Sequence, residues 1–200
     1  MGRPRGDTRE RILAAAFETL RTRGYAGTST RSVAATGGFN PALIFYYFGG
    51  LDDLLVAALA ASSESRLARY REAVAAAASL EELLGLLRSI YEEDVSSGHI
   101  RVVTEMVAAS VANDALAPRV VELMEPWLEL AEEGVRKATE GLPLEGVVSP
   151  RELALAAVTF YLGANLMTRL VEERAEIASM LESARRVAPV LDALLRGAAP

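Results

Sequence analysis

GGFNPALIFYYFGG, residues 37–50, carries five of the chain's eleven Phe and Tyr residues and no charged side chain. Gly37 and Gly38 break whatever precedes them. Asn40 followed by Pro41 reads as an N-cap with a first-turn proline, opening a short helix from Pro41 to about Tyr47, and Gly49 with Gly50 closes it. Whether its aromatics form a core, a lipid contact or a reading surface depends on what flanks them.

Upstream, Asp7 as N-cap and Glu10 three residues on make a capping signature. Ile12, Leu13, Ala16, Phe17 and Leu20 then share one face, and Gly24 is the stop. After Gly24-Tyr25, either Thr28 or Ser29 caps a short helix reaching Thr36, with Val33 and Ala34 inward. One long helix is thus followed by two very short ones joined by a glycine turn of about three residues. Short helices held this way cannot lie antiparallel in full contact, and a helix-turn-helix is the natural solution.

The charge distribution agrees. Residues 1–50 hold seven arginines against three acids, a balance of +4, whereas the remaining 150 hold fourteen basic and twenty-four acidic side chains, or −10, giving −6 in all. A basic N-terminal quarter on an acidic body suits one localised polyanion contact. A lipid contact is disfavoured, because membrane-surface helices want Lys or Arg on a polar face and this stretch has none.

The rest reads as helix: Ala and Leu recur at three- and four-residue spacing without strict alternation. A long helix from Leu51 to about Ala77 has Asp52 and Asp53 in its first turn, where the dipole favours them. Further helices are expected at about 80–97, 100–113, 118–140, 150–172 and 178–196. The fold class is therefore all-α with about nine helices: a head of residues 1–50, the helix at about 51–77 as connector, and a larger helical part within 51–200. No run of eighteen apolar residues occurs, so neither a signal peptide nor a spanning helix is expected, and cytoplasm is the default. The chain has no cysteine and one histidine, His99 in "SSGH", expected in an exposed loop. A di-metal carboxylate bundle needs paired Glu-x-x-His motifs, so no catalytic residue, metal or cofactor is expected and the chain is not read as an enzyme.

The stretch TRERILAAAFETLRTRGYAGTSTRSVAATGGFNPALIFYYFGGLDDLL, residues 8–55, resembles the N-terminal domain of the TetR/AcrR family of transcriptional repressors. The likeness lies in Gly24-Tyr25 ending the first helix, the Thr28 to Arg31 start of the second, Gly38-Phe39 in the turn, and the aromatic run Phe45 to Phe48. It implies a homodimer whose head binds operator DNA and whose larger part binds a small-molecule effector. A second hypothesis is a sensor or adaptor of the same fold that has lost DNA reading.

In a helix-turn-helix the second helix enters the major groove while the first braces the backbone. The expected DNA-facing residues are Asn40, Pro41, Ala42, Leu43, Phe45, Tyr46 and Tyr47, with Arg31 as the first reader of guanine. Arg3 and Arg5 of the N-terminal arm, expected to be disordered without DNA, carry two readings: entry into a minor groove when bound, or a solubilising terminus. Thr28 and Thr30 read as caps first and phosphate donors second. Packing outweighs contact for Phe45 and for one of the two tyrosines, because a fifty-residue head has few other large side chains. The reading assigns Ile44, Phe48 and Phe45 to the core, and Tyr46 and Tyr47 to phosphate-facing rims. Relatives often carry lysine where Pro41 and Leu51 stand, and tyrosine where Phe45 stands. Backbone contact should therefore fall on arginine (Arg3, Arg5, Arg9, Arg23, Arg31), and apolar contact, Leu43 or Ala42 on thymine methyls, should grow.

Ser149-Pro150-Arg151-Glu152 is a capping box that opens a helix apolar on nearly all sides. One face carries Leu153, Ala157, Phe160, Ala164 and Met167, another Leu155, Val158, Leu162 and Leu166. A second copy is the economical cover, with Ala156 and Gly163 allowing close approach and Leu191, Leu194 and Leu195 of the last helix completing a four-helix seam. A cavity is expected near Pro126, which leaves the Glu122 carbonyl without its helical donor. Its candidate lining is Tyr91, Met106, Leu123, Met124, Trp127, Phe160, Tyr161 and Asn165.

Overall fold

A computed structural model describes residues 5–141 and 148–170 and, beyond these, 179, 182–187, 189, 190 and 193. The protein is all-α over these residues: α1 (Arg5–Arg23), α2 (Thr30–Gly37), α3 (Ala42–Phe48), α4 (Leu51–Ala76), α5 (Leu80–Ser97), α6 (His99–Val111), α7 (Ala117–Thr139) and α8 (Pro150–Leu170). Residues 182–187 are helical again. α1 starts two residues before the expected cap, so Asp7 lies in its first turn, where its charge meets the positive end of the dipole.

By contact the chain forms two compact units, one of residues 1–66 and 98–124, the other of 67–97 and 125–200. The interior of the first is built from Ile12, Leu13, Ala16 and Leu20 of α1, Val33 and Ala34 of α2, Ile44 of α3, Leu54, Leu55, Ala58 and Leu59 of α4, and Val102, Val103 and Met106 of α6, all buried. The expected inward faces of the first two helices are thus the observed ones, except that Phe17 stays half-buried.

His99 corrects its expected place in an exposed loop. Gly98 takes a left-handed N-cap conformation at φ 73, and α6 starts at His99 itself. The imidazole is buried, with Nδ1 3.0 Å from Ser62 Oγ of α4 and its ring stacked 6.1 Å from Phe17 of α1.

The second unit packs Leu67, Tyr70, Val74 and Leu130 together, with Leu83, Leu86, Ile90 and Trp127 against them. The Trp127 and Tyr70 rings are tilted with centroids 6.1 Å apart. Reciprocal capping boxes set two helix starts. Ser79 Oγ accepts from Glu82 N while the Glu82 carboxylate accepts from Ala78 N, and Ser149 Oγ accepts from Glu152 N while Glu152 accepts from Ser149 N. The bond from the Ser149 backbone holds the Glu152 carboxyl below its ordinary range. α7 runs through Pro126 without interruption.

The chain's single lysine has a structural task. Lys137 Nζ donates to the carbonyls of Val74 at 2.9 Å and Ala75 at 2.5 Å in the last turn of α4, where the Val74 oxygen also accepts from Ala77 N at 3.3 Å. Lys137→Met should lower the melting temperature by a few degrees, corresponding to about 1 kcal/mol. An unchanged melting curve would show that water replaces the ammonium at no cost.

Candidate nucleic-acid interface

Ser29, not Thr28, is the N-cap of α2. It sits in extended backbone, Ser29 Oγ accepts from Ser32 N at 3.1 Å, and Ser32 Oγ returns the bond by accepting from Ser29 N at 2.8 Å. Thr28 is buried and its hydroxyl donates to the Gly24 carbonyl at 2.6 Å. Thr30 is half-buried as the first residue of α2, and Arg31 beside it is exposed.

The turn between α2 and α3 depends on two adjacent glycines for different reasons. Gly38 adopts φ 64, ψ 44, where a side chain is strained, and its N–H closes α2 on the Ala34 carbonyl. Gly37 has no room: a Cβ there would sit 2.2 Å from the Phe39 ring and 2.8 Å from the Ala15 Cβ. Phe39 is thereby folded against α1, and the Arg11 guanidinium lies 5.9 Å from its ring centroid.

α3 begins one residue later than expected, at Ala42, with Pro41 at the cap position. Asn40 still satisfies a terminal donor, its Oδ1 accepting from Ala42 N at 2.9 Å. Ile44 is fully buried, and Leu43, Tyr47 and Phe48 are half-buried. Phe45 corrects the core assignment: it is 58 % exposed, and Tyr46 is 65 % exposed. With Ala42 and Gly49, also exposed, these residues sit at positions i, i+3, i+4 and i+7, one continuous outer face of α3. The Tyr46 and Tyr47 rings meet edge to face, centroids 5.0 Å apart.

The Arg9 guanidinium lies 5.3 Å above the Phe48 ring, placing a cation from α1 beside the last residue of α3. Arg9, Arg23 and Arg31 are exposed, whereas Arg21 is engaged by Glu18 at 2.7 Å, a bond that holds the Glu18 carboxyl below its usual range. Arg3 and the side chain of Arg5 lie outside the described residues, but Arg5 itself opens α1, so the last residues of the expected arm are helical.

The head is braced by groups distant in sequence. Tyr25 N donates to Glu105 of α6 at 2.8 Å, and Tyr25 Oη donates to Asp52 of α4 at 2.9 Å. Burial first, and the bond to Asp52 second, push the Tyr25 phenol up. Asn113 Nδ2 donates to the other Asp52 oxygen at 3.3 Å, and Arg119 of α7 pairs with Asp53 at 2.9 Å. Sequence reasoning missed Glu105, Asn113 and Arg119: Tyr25 and Glu105 are 80 residues apart, and no local pattern marks such a pair.

The expected pocket residues divide between the units. Met106 is fully buried in the first, and Leu123 and Met124 are half-buried there. In the second, the Tyr91 and Tyr161 rings meet edge to face at 6.3 Å, Tyr161 Oη donates to buried Asp94 at 2.6 Å, and buried Asn165 donates through Nδ2 to the Tyr161 carbonyl at 2.8 Å.

On α8 the inward residues are Ala154, Val158, Tyr161 and Asn165, a face between the two expected ones. The polar Tyr161 and Asn165 displaced it, since both find partners inside while aliphatic neighbours stay outside. Phe160 is 52 % exposed, which sets it on the outer face rather than in an interior pocket. Ala156, Ala157, Gly163 and Met167 are exposed with it, Leu153 and Ala164 are half-buried, and Leu191, Leu194 and Leu195 lie outside the described residues.

A capped short helix, a left-handed glycine turn and a second short helix with an exposed face make a helix-turn-helix, the arrangement by which many proteins read DNA. Residues 12–58 match the family model described as bacterial regulatory proteins, tetR family. A search of curated proteins finds no match. The fold of the whole chain resembles the fatty acid degradation regulator FadR from Bacillus halodurans (15 % identity, 93 % of this chain and 96 % of that one covered, TM-score 0.76). It also resembles FadR from Bacillus subtilis in complex with stearoyl-CoA (14 %, 90 % and 96 %, 0.73), and a Rhodococcus sp. protein assigned to the TetR-family transcriptional regulators (23 %, 91 % and 98 %, 0.73).

Proposed function

We propose that the chain acts in the cytoplasm as a homodimeric repressor that leaves a palindromic operator when a small apolar effector binds its larger helical part. Residues 1–50 form the reading head, α4 is the connector, and the remainder binds effector and partner. The observation that carries the reading is the exposed, uncharged outer face of α3, held on the buried Ile44 in a head that also exposes Arg9, Arg23 and Arg31. Arg31, exposed in the first turn of α2, is positioned to reach guanine or phosphate. The outer face of α8, with Phe160 and Met167 about half exposed, supports a twofold contact with a second copy. The stearoyl-CoA in the Bacillus subtilis FadR complex favours an apolar effector.

The test is selection of bound fragments from random DNA, followed by titration of the best site over a range of salt. Sequence-selective binding is expected. The slope of log K against log salt should be roughly −5 for a dimer whose three exposed arginines per subunit, Arg9, Arg23 and Arg31, each meet one phosphate. A slope beyond about −8 would place backbone contact on residues other than these. Stable dimers with no DNA affinity even at low salt would instead favour a sensor that has lost reading.

A further inference from the structure

The outer face of α3 is unusual for a reading surface in what it lacks. Among Ala42, Phe45, Tyr46 and Gly49 there is no charge and no carboxamide, so none of the bidentate pairings with guanine or adenine is available. Asn40, the one carboxamide next to the helix, has its oxygen engaged by the Ala42 N–H. The phenyl ring of Phe45 is more than half exposed, without a hydroxyl that a phosphate could accept from. In the major groove every base edge offers polar groups, and only thymine adds an apolar one, its 5-methyl. An exposed phenyl on an uncharged face is complementary to that one feature, the ring meeting the methyl, while exposed Arg9 and Arg31 of the same head supply cations for phosphate.

We propose that Phe45 is a specificity-determining residue that reads a thymine by packing its ring on the 5-methyl group. The structure shifts this role from Leu43, which is half-buried, to Phe45, which the helix presents outward next to Ala42 and Tyr46. The inference rests on the proposed DNA-binding function and adds to it the chemical group that is recognised.

The experiment replaces each thymine of the selected site, one at a time, with deoxyuridine, which removes the methyl and leaves the base pair and backbone intact. Affinities are measured for the full chain and for Phe45→Ala. One position per half-site should lose about fourfold in affinity, the worth of one buried methyl, and about fifteenfold when both half-sites are changed. In Phe45→Ala the same replacements should change affinity by less than about twofold, with the helix content unchanged because the side chain is exposed. Tight, selective binding that is indifferent to every replacement, or a selected site without thymine in its half-sites, overturns the assignment and leaves the DNA-binding reading standing. A methyl dependence that survives in Phe45→Ala moves the role to another residue and also overturns it. Recovery of no preferred sequence overturns the DNA-binding reading and the inference with it.

Discussion

Ile44→Ala is expected to lower the stability of the first unit by about 2–5 kcal/mol and to weaken the proposed selective DNA binding increasingly as temperature rises. Ile44 is fully buried, one of the largest side chains with no exposure, and the only buried residue of α3. A helix of seven residues has almost no stability of its own, so this buried side chain is what anchors α3 in the interior of the first unit. Removing its outer atoms both exposes a cavity and frees α3 to rotate, taking Phe45 and Tyr46 out of register. A total stability of about 5–15 kcal/mol leaves little reserve against such a loss. Phe45→Ala is the informative comparison: it should melt within about 0.5 kcal/mol of the parent while losing thymine discrimination. Circular dichroism melts of the two variants separate the cases, and equal melting of Ile44→Ala and the parent would mean that α3 is held by other contacts.

Phe160→Glu is expected to convert the proposed dimer to monomer at micromolar concentration. Phe160 lies in the middle of the exposed stripe of α8 that also contains Ala156, Gly163 and Met167. In a twofold contact each substitution acts twice, setting two carboxylates into a closed apolar seam with no cation on that stripe to meet them. A cost of about 3–5 kcal/mol weakens association by two to four orders of magnitude. DNA affinity should fall with it, because two heads on one twofold are replaced by single heads. Sedimentation velocity of the variant decides this: an unchanged dimer would put the interface on another face.

The head was legible because its punctuation is local. Gly38, Ser29 and the Asn40-Pro41 pair each act within four residues, and each marks a helix end that the structure keeps to within one or two positions. Phe45 was misassigned to the core because periodicity cannot orient a seven-residue helix: Ile44 and Phe45 are adjacent, and only the glycine turn before them decides which one points inward. His99 was misplaced for a related reason. "SSGH" has loop composition, but Gly98 in the left-handed region starts a helix there, and the groups that bury His99 come from Phe17 and Ser62. The bracing of Tyr25 by Glu105 and Asp52 is a product of folding alone, without a sequence pattern to announce it.

The position of Trp127 has an optical consequence. It is the chain's one tryptophan, and it belongs to the second unit, packed against Tyr70. Tryptophan emission excited at 295 nm therefore reports on that unit, and the DNA-reading head is dark at this wavelength. A loosened head, as in Ile44→Ala, should show in the far-ultraviolet while the emission spectrum stays native. Quenching or a shift of emission by an added compound, with the circular dichroism unchanged, would in turn mark the compound as acting beside Trp127, which makes the native chain its own label for an effector screen.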